Sequence, residues 1–598
     1  MRKFNHYITL ASTIILAVFC SSQLSAQGKA DIIIHNAKVH SMDKANPTSE
    51  AIAIKGNKIM ALGSNAEINK LKGKSSKTID AKGKTVIPGL FDSHSHVIRA
   101  GRFYNSELRW DGVSSLEKAL QMLKEQAERT PKGQWVRVVG GWSPNQFKEE
   151  RFPTLEEINE ATGDVPTFVL YLYGKVYLNK AGVAALKLNS ESENPPGGLI
   201  EKDKHGNPTG MLFAEPNAFI LYSTLSKLPE LSDAEKINST LLYMTELNRL
   251  GITSVMDAGG GFQNYPDDYS ITDKLNDEGK ISIRLPHYLF AQKKGEELND
   301  YTKWVGMVDV GIHPKATAVP KDYYVAGAGE NIVSDAGDFE NFLFPRPELP
   351  ESMETQLLPV IRLLVNNKWP FRLHATYDET IGRMLDVIEA VNEEIPLGDL
   401  VWFFDHAETV SDANLKRIKA LNGGIAIQNR MSFQGENFIR RYGKKAANQA
   451  PPIHKILEMG IPVGLGTDAT RVSSFNPWLA IHWLVSGKTV GNTEILQKEN
   501  RLDRILALEL MTKGGYDLIK QSNEKGLLKP GYFADLIILD QDYFTIPEDD
   551  IKKLKANLTI VDGKIVYADD QFKAFSKEKL EVIPAWSPVK YYGGYQEN

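Results

Sequence analysis

Cysteine is all but missing: the 598 residues hold one, Cys20. A disulfide within the chain needs two partners, so neither a disulfide framework nor a metal site of paired thiolates is available. Long apolar runs are equally scarce. The one that stands out, Ile8 to Phe19, follows the basic pair Arg2-Lys3 and precedes Ser21-Ser22-Gln23-Leu24-Ser25-Ala26. At about 12 residues it falls short of the roughly 20 that a membrane-spanning helix requires and has the form of a secretory signal. The expectation is an exported chain, periplasmic or extracellular, cleaved after Ala26. Phe19 is bulky where lipoprotein processing before Cys20 calls for a small side chain, which argues against a lipid anchor. Cleavage would leave no cysteine, so any metal would sit on His, Asp, Glu or modified Lys. Charge of one sign is not in excess either. Lys and Arg number 70 against 75 Asp and Glu, a net charge of −5, and the basic residues are scattered. No electrostatic footprint for nucleic acid follows, and a small molecule is the expected partner. Neither a fixed-period repeat nor a low-complexity tract is present, which removes solenoids and propellers.

What is present reads as an α/β chain. Hydrophobic residues make up 42% and charged residues 24%, enough to build a large core, and the length points to more than one module. Asp31 to His35, Ala51 to Ile54 and Thr85 to Gly89 are short β-rich runs divided by polar turns. Ala534 to Asp540 and Leu558 to Tyr567 repeat that character near the other end, the latter around Asp562-Gly563, the dipeptide of a tight hairpin. Two strand-rich ends around one long middle suggest a β-sandwich assembled from both termini. In the middle, apolar runs at Trp135–Gly140, Thr167–Tyr173, Gly251–Met256, Ile281–Pro286, Phe371–His374, Leu400–Phe404, Gly424–Gln428 and Ile461–Leu465 alternate with amphipathic stretches such as Leu357–Asn366 and Thr380–Asn392. Such alternation predicts parallel strands with crossover helices, hence a (β/α)8 TIM-like barrel. The expected layout is a signal peptide over 1–26, the N-terminal share of the sandwich over 27–86, a barrel with insertions over 87–522, and the C-terminal share of the sandwich with a tail over 523–598.

The sharpest local signal is Pro88 to His96, where a strand-like run ends in His94-Ser95-His96. Alternate residues of a strand face the same side, so both imidazoles can reach one ion of the zinc type. Two solvated loop histidines are the plain alternative. His374, His406 and Asp468 each stand at the C-terminal end of a candidate strand, the end of a barrel that carries the active site. Any one of them alone would as readily be a packed core residue. Their joint placement points to a metal centre.

Lys84 to His96, Gly197 to Ile200, Pro208 to Leu212, Leu250 to Val255, His406-Ala407-Glu408, Gly466 to Ala469 and Gly526 to Leu536 together resemble the amidohydrolase superfamily, in the YtcJ-like branch that includes N-substituted formamide deformylases. The resemblance spans nearly the whole chain beyond the signal. It implies one or two divalent ions, zinc first among them, at the barrel mouth, with His94, His96, His374, His406 and Asp468 as ligands. It also implies that the metal acidifies water near neutral pH and polarises the substrate carbonyl. Asp468 would then act as base and afterwards as acid, and His406 would orient the carbonyl if it does not bind metal. Three positions depart from the family's pattern. Where many relatives carry a lysine that can be carboxylated, this chain reads Tyr324 to Asn331, and Glu330 becomes the candidate bridging carboxylate. Lys175 stands where the family usually has histidine, open between a substrate-anion contact, a bridging lysine and a solvated side chain. Met256 stands where relatives often carry histidine. Trp142, as a pocket wall or as core packing, and Arg430, as a partner for a substrate carboxylate or as a solvated side chain, complete the substrate candidates. The expected activity is hydrolysis of an amide, formamide or cyclic-amide C–N bond; a metal-dependent deaminase and an inactive binding barrel are the alternatives. A homo-oligomer is compatible with each.

Overall fold

A computed structural model describes residues 28–215, 218–310, 322–339, 342–343, 346, 348–576 and 578–596. The expected signal peptide, 1–26, lies outside the described residues. Eight parallel strands form one sheet: Leu90–Ser95, Ile252–Asp257, Leu285–Leu289, Tyr323–Ala328, Phe371–Ala375, Trp402–His406, Gly424–Gln428 and Val463–Gly466, each paired with the next. The last meets the first, because the carbonyl of His94 accepts from the backbone N–H of Asp468 at 2.8 Å and of Thr467 at 3.2 Å. Glycine permits that seam: a Cβ on Gly466 would lie 2.6 Å from the His94 nitrogen. Crossover helices such as Met353–Asn366, Asp378–Glu394 and Asp412–Ala420 bury Leu357, Ile361, Leu364, Ile381, Leu385, Ile388, Leu415 and Ile418 against the strands. Their spacing of three to four residues is the amphipathic period that places one face on a sheet.

The two chain ends do meet. Thr85–Pro88 pairs antiparallel with Leu536–Leu539, with Ile87 opposite Ile537, and joins them to Lys38–His40, Thr48–Ser49, Ala556–Val561 and Lys564–Ala568 in a six-stranded sheet. A four-stranded sheet of Ala30–His35, Ala51–Lys55, Lys58–Gly63 and Lys72–Asp80 faces it, and Ile32, Ile34, Ile52, Ile54 and Ile79 pack on Leu536, Ile538, Leu558 and Ile560. Asp562 and Gly563, with φ of 52° and 70°, make the hairpin turn, the left-handed pair that a two-residue loop demands.

Two expected barrel strands belong elsewhere. Val136–Val139 and Thr167–Tyr171 join Lys175–Leu178, Gly198–Lys202 and Pro208–Ala214 in a separate five-stranded sheet inserted between the first and second barrel strands. A strand buried on both faces reads as a continuous apolar run whichever sheet receives it. The barrel's fourth strand is instead Tyr323–Ala328, and its third is Leu285–Leu289, a few residues beyond the Ile281–Pro286 run. Among the described residues no helix is long and apolar enough to cross a membrane.

Barrel and sandwich are tied by one cation. Arg284, just before the third strand, donates Nε to Asp535 at 2.7 Å and Nη2 to Asp562 at 3.3 Å, contacts Asp322 through Nη1, and lies 4.7 Å above the Phe533 ring, its own side chain buried. Removing one partner of a buried ion cluster leaves the others uncompensated, typically at about 3–5 kcal/mol. Arg284→Met should therefore lower the midpoint of thermal unfolding by several degrees, measured by circular dichroism, and an unchanged midpoint would show the cluster to be dispensable.

Candidate metal centre

The C-terminal ends of the barrel strands deliver the polar side chains. His94 lies in the first strand and His96 caps the short helix Val97–Phe103 that follows it. His374 lies in the fifth strand and His406 ends the sixth; Glu330 follows the fourth strand and Asp468 the eighth. His406 and Asp468 hold φ of 76° and 56°, left-handed backbone that turns the chain off the strand at some energetic cost and is typical of functional sites. Asp92 fastens the first strand to the eighth: its Oδ1 accepts from the His94 and Thr467 nitrogens at 3.1 and 2.9 Å, and its Oδ2 from the Thr467 hydroxyl at 2.6 Å.

One carboxylate faces four imidazoles. Glu330 lies 3.1 Å from His374 Nδ1, 3.3 Å from His406 Nε2, 3.6 Å from His94 Nε2 and 3.7 Å from His96 Nε2. Asp468 closes the other side, with Oδ1 3.2 Å from His96 Nε2 and 3.4 Å from His94 Nε2 and with Oδ2 3.9 Å from His406 Nδ1. All six residues are buried. The ligand atoms group as His94–His96–Glu330, Glu330–His374–His406 and His94–His406–Asp468, each within the span of one ion's coordination shell.

The outer nitrogens show which way the rings are set. His94 Nδ1 meets Asp405 Oδ1 at 2.8 Å and His96 Nδ1 meets the Gly259 carbonyl, while His374 Nε2 lies 3.2 Å from the Asp338 carboxylate without a hydrogen bond. An acceptor behind the ring fixes the tautomer and turns the other nitrogen's lone pair inward, the usual outer support of a metal-binding histidine. His94 Nε2 is buried without a hydrogen-bond partner, as is His406 Nδ1, and such orphans are rare unless something else engages them. This donor set of imidazoles and carboxylates, with no thiolate, fits a divalent ion of the zinc type.

Electrostatics agree. Burial opposes the imidazolium of His94, yet Asp405 and Glu330 push its pKa up to about 10. Burial likewise opposes His374, and Asp338 and Glu330 raise it to about 9. Burial would raise Glu330 and Asp468, but His94 and its fellow imidazoles hold both carboxyls well below the usual range. His406 goes down instead, through burial and the neighbouring Arg430. The cluster thus holds carboxylates that need positive charge beside them, a need that a cation meets as well as a proton does.

The three substrate candidates all lie inside the protein. Trp142 is fully buried, stacks with Phe147 at 5.8 Å, and donates its indole N–H to the Leu170 carbonyl at 2.9 Å. It belongs to the core of the inserted sheet and not to a pocket wall. Lys175, in that same sheet, holds its ammonium 3.5 Å above the Phe152 ring, and burial drops its pKa to about 8. It is neither a bridging lysine nor a solvated one. Arg430 is fully buried and pairs with Glu408 at 2.9 Å and with the Thr376 hydroxyl, also at 2.9 Å, so it is not a solvated side chain, while its Nη1 is buried without a hydrogen-bond partner. Met256 is buried among Phe91, Tyr288 and Phe403 inside the barrel.

The residues unforeseen from sequence are the supports and the mouth. Asp405 is locked by Arg372, whose Nε donates at 2.7 Å; Arg372 stands two positions before His374 on one strand face, the only trace of its role in sequence. Over His96 and Glu330 opens a cavity of about 230 Å³ ringed by aromatic side chains. Phe339 lies 4.5 Å from the His374 ring, Tyr173 5.8 Å from Phe339, Tyr222 5.7 Å from Tyr173, and Phe262 6.4 Å from Tyr222.

Comparison with known proteins covers the barrel and most of the sandwich. An amidohydrolase family profile matches residues 77–567. N-substituted formamide deformylase of Arthrobacter pascens is 23% identical over 563 residues, covering 90% of this chain and 98% of that one. The Bacillus subtilis protein YtcJ, a putative amidohydrolase by name, is 24% identical over 556 residues, covering 90% and 99%. Among solved structures, a metal-dependent hydrolase from Pyrococcus horikoshii superposes with a TM-score of 0.60 at 20% identity, covering 87% of this chain and 99% of that one.

Proposed function

This chain belongs to the amidohydrolase family, and from that premise we propose that it cleaves a carbon–nitrogen bond of an amide, formamide or cyclic amide with the help of two divalent ions, zinc by preference. The observation that carries the reading is the single Glu330 carboxylate set between two pairs of imidazoles, His94 with His96 and His374 with His406. A carboxylate so placed can bridge two ions, each completed by its own histidine pair, and Asp468 adds a further oxygen. When bound, the ions supply Lewis acidity, acidifying water and polarising an acyl oxygen.

The protein groups divide the remaining work. Asp468 Oδ2 takes a proton from the water as its oxygen bonds to the acyl carbon, and returns that proton to the nitrogen as the C–N bond breaks, so one carboxylate serves as base and then acid. Arg372 and Asp405 hold His94 in place from behind. The aromatic ring around the mouth packs the substrate's apolar part and keeps bulk water from the polar floor. Export, read from the N-terminal apolar segment, is part of the same proposal and places the reaction outside the cytoplasm.

The test is a panel of N-substituted formamides, open-chain amides, cyclic amides and aminopurines, the last carrying amidine-like carbons, offered to purified protein with zinc, manganese or cobalt added back. Release of an amine together with a carboxylic acid is the expected result. Release of ammonia from amidine-like carbons alone would show a deaminase instead, and no turnover with any metal would overturn the hydrolytic reading.

A further inference from the structure

A second cavity of about 220 Å³ adjoins the one above the metal centre, sharing Arg99, Tyr222 and Phe262 with it. It is lined by four arginines, Arg99, Arg102, Arg137 and Arg471, against three carboxylates, Glu107, Glu230 and Asp268. Two of the arginines are already engaged. Arg102 pairs with Asp268 at 2.7 Å, and Arg137 donates to the Pro229 carbonyl at 2.7 Å. Glu107 is taken by Arg109 and Glu230 by Lys236. Arg99 and Arg471, only 6% and 7% exposed, form no ion pair among the described residues. Nη1 of Arg471 is buried with no hydrogen-bond partner, and its guanidinium lies 4.4 Å above the Tyr222 ring. Arg99 Nη1 donates to the Gly261 carbonyl at a long 3.5 Å.

Position links this pair to the chemistry. A Cβ built on Gly260 would stand 2.7 Å from Arg99 Nη1 and 3.5 Å from His96 Nδ1, so the Arg99 guanidinium sits beside a proposed metal ligand. Arg471 follows Asp468 by three residues. Buried guanidinium groups without a counter-charge are costly; burial and the neighbouring Arg99 bring the pKa of Arg471 down to about 10. An anion from outside removes that cost.

We propose that the cleft selects amides bearing a carboxylate, and that this carboxylate seats on Arg99 and Arg471 while the scissile bond lies over Glu330. Asp268, Glu107 and Glu230 are each held by another cation, so Arg99 and Arg471 are left to an anion from outside, and the two oxygens of one carboxylate serve two guanidinium groups. The inference rests on the amide-hydrolysis reading, which is why it is tested first by binding. Titration calorimetry of the full chain compares N-benzoylglycine with its neutral counterpart N-benzoylglycinamide. The acid should bind at least about tenfold more tightly, as charge-assisted contacts to two guanidinium groups predict. In Arg471→Met and in Arg99→Met that ratio should fall towards one, whereas Arg471→Lys, which keeps the charge, should retain a share of it; thermal unfolding checks that each variant is folded. Equal binding or no binding of the two compounds by the native protein overturns the proposal, as does a ratio that survives both methionine variants. Benzoate release is followed separately on metal-loaded protein. An arginine-dependent preference with no cleavage of any amide overturns the hydrolytic reading and leaves the anion subsite standing.

Discussion

Replacing His94 and His96 together by alanine should abolish metal retention. Native protein purified under mild conditions is expected to carry close to two equivalents of divalent metal by mass spectrometry, and the double variant less than about a tenth of an equivalent, since tight sites lose most of their affinity with their ligands. Activity on any substrate found should vanish with it. Far-UV circular dichroism should change little, because a barrel of this size owes its core to apolar packing and not to metal. The acidity of the site adds a second readout. His94 and His374, pushed up to about 10 and about 9, are protonated at neutral pH in the metal-free protein. A cation must displace those protons, so apparent affinity should climb as pH rises, by about tenfold per pH unit for each proton released. Chelator competition at pH 6, 7 and 8 measures the slope. A flat profile, or native protein that retains no metal, would remove the basis of the proposed function.

Asp468→Asn should lower kcat by roughly 10²-fold or more while substrate binding changes less. The amide keeps the size of the carboxylate and some of its hydrogen bonding, but cannot accept the proton of the attacking water. Metal content measured on the same sample separates proton transfer from ligand loss, because Asp468 Oδ1 also lies within 3.4 Å of two imidazoles. An asparagine variant that keeps both its metal and most of its turnover would show that another group shuttles the proton.

His94, His96, His374, His406 and Asp468 are legible in sequence for a geometric reason: residues at the C-terminal ends of parallel strands converge on one mouth. Glu330 is harder, because the glycines Gly327 and Gly329 blur where its strand ends, and only the fold shows the carboxylate among the imidazoles. Asp405 is not legible at all, and Arg372 only through its place two positions before His374. Each is one charged residue in an apolar strand, and their pairing joins neighbouring strands at Arg372–Phe403 and His374–Asp405, a register that one sequence does not contain. The misassigned strands at Val136–Val139 and Thr167–Tyr171 show the same limit. Periodicity reports burial on both faces and not the partner sheet, and Trp142 goes with them from a supposed cavity wall to the core of the insert.

Because Ile87 finds its partner in Ile537, the ribosome must add every residue of the barrel between them before the sandwich can close. At about 5–20 residues per second, synthesis leaves the first β-strands without their partners for tens of seconds. During that interval Val86 and Ile87 present an unpaired edge and the isoleucines of the N-terminal sheet an uncovered apolar face, the kinds of surface that holdase chaperones bind and that aggregate otherwise. A chain cut short before Leu536 would contain every proposed metal ligand and still leave that sheet open. Nonsense mutations late in the gene should therefore be as damaging as early ones, through loss of soluble protein and not through loss of chemistry.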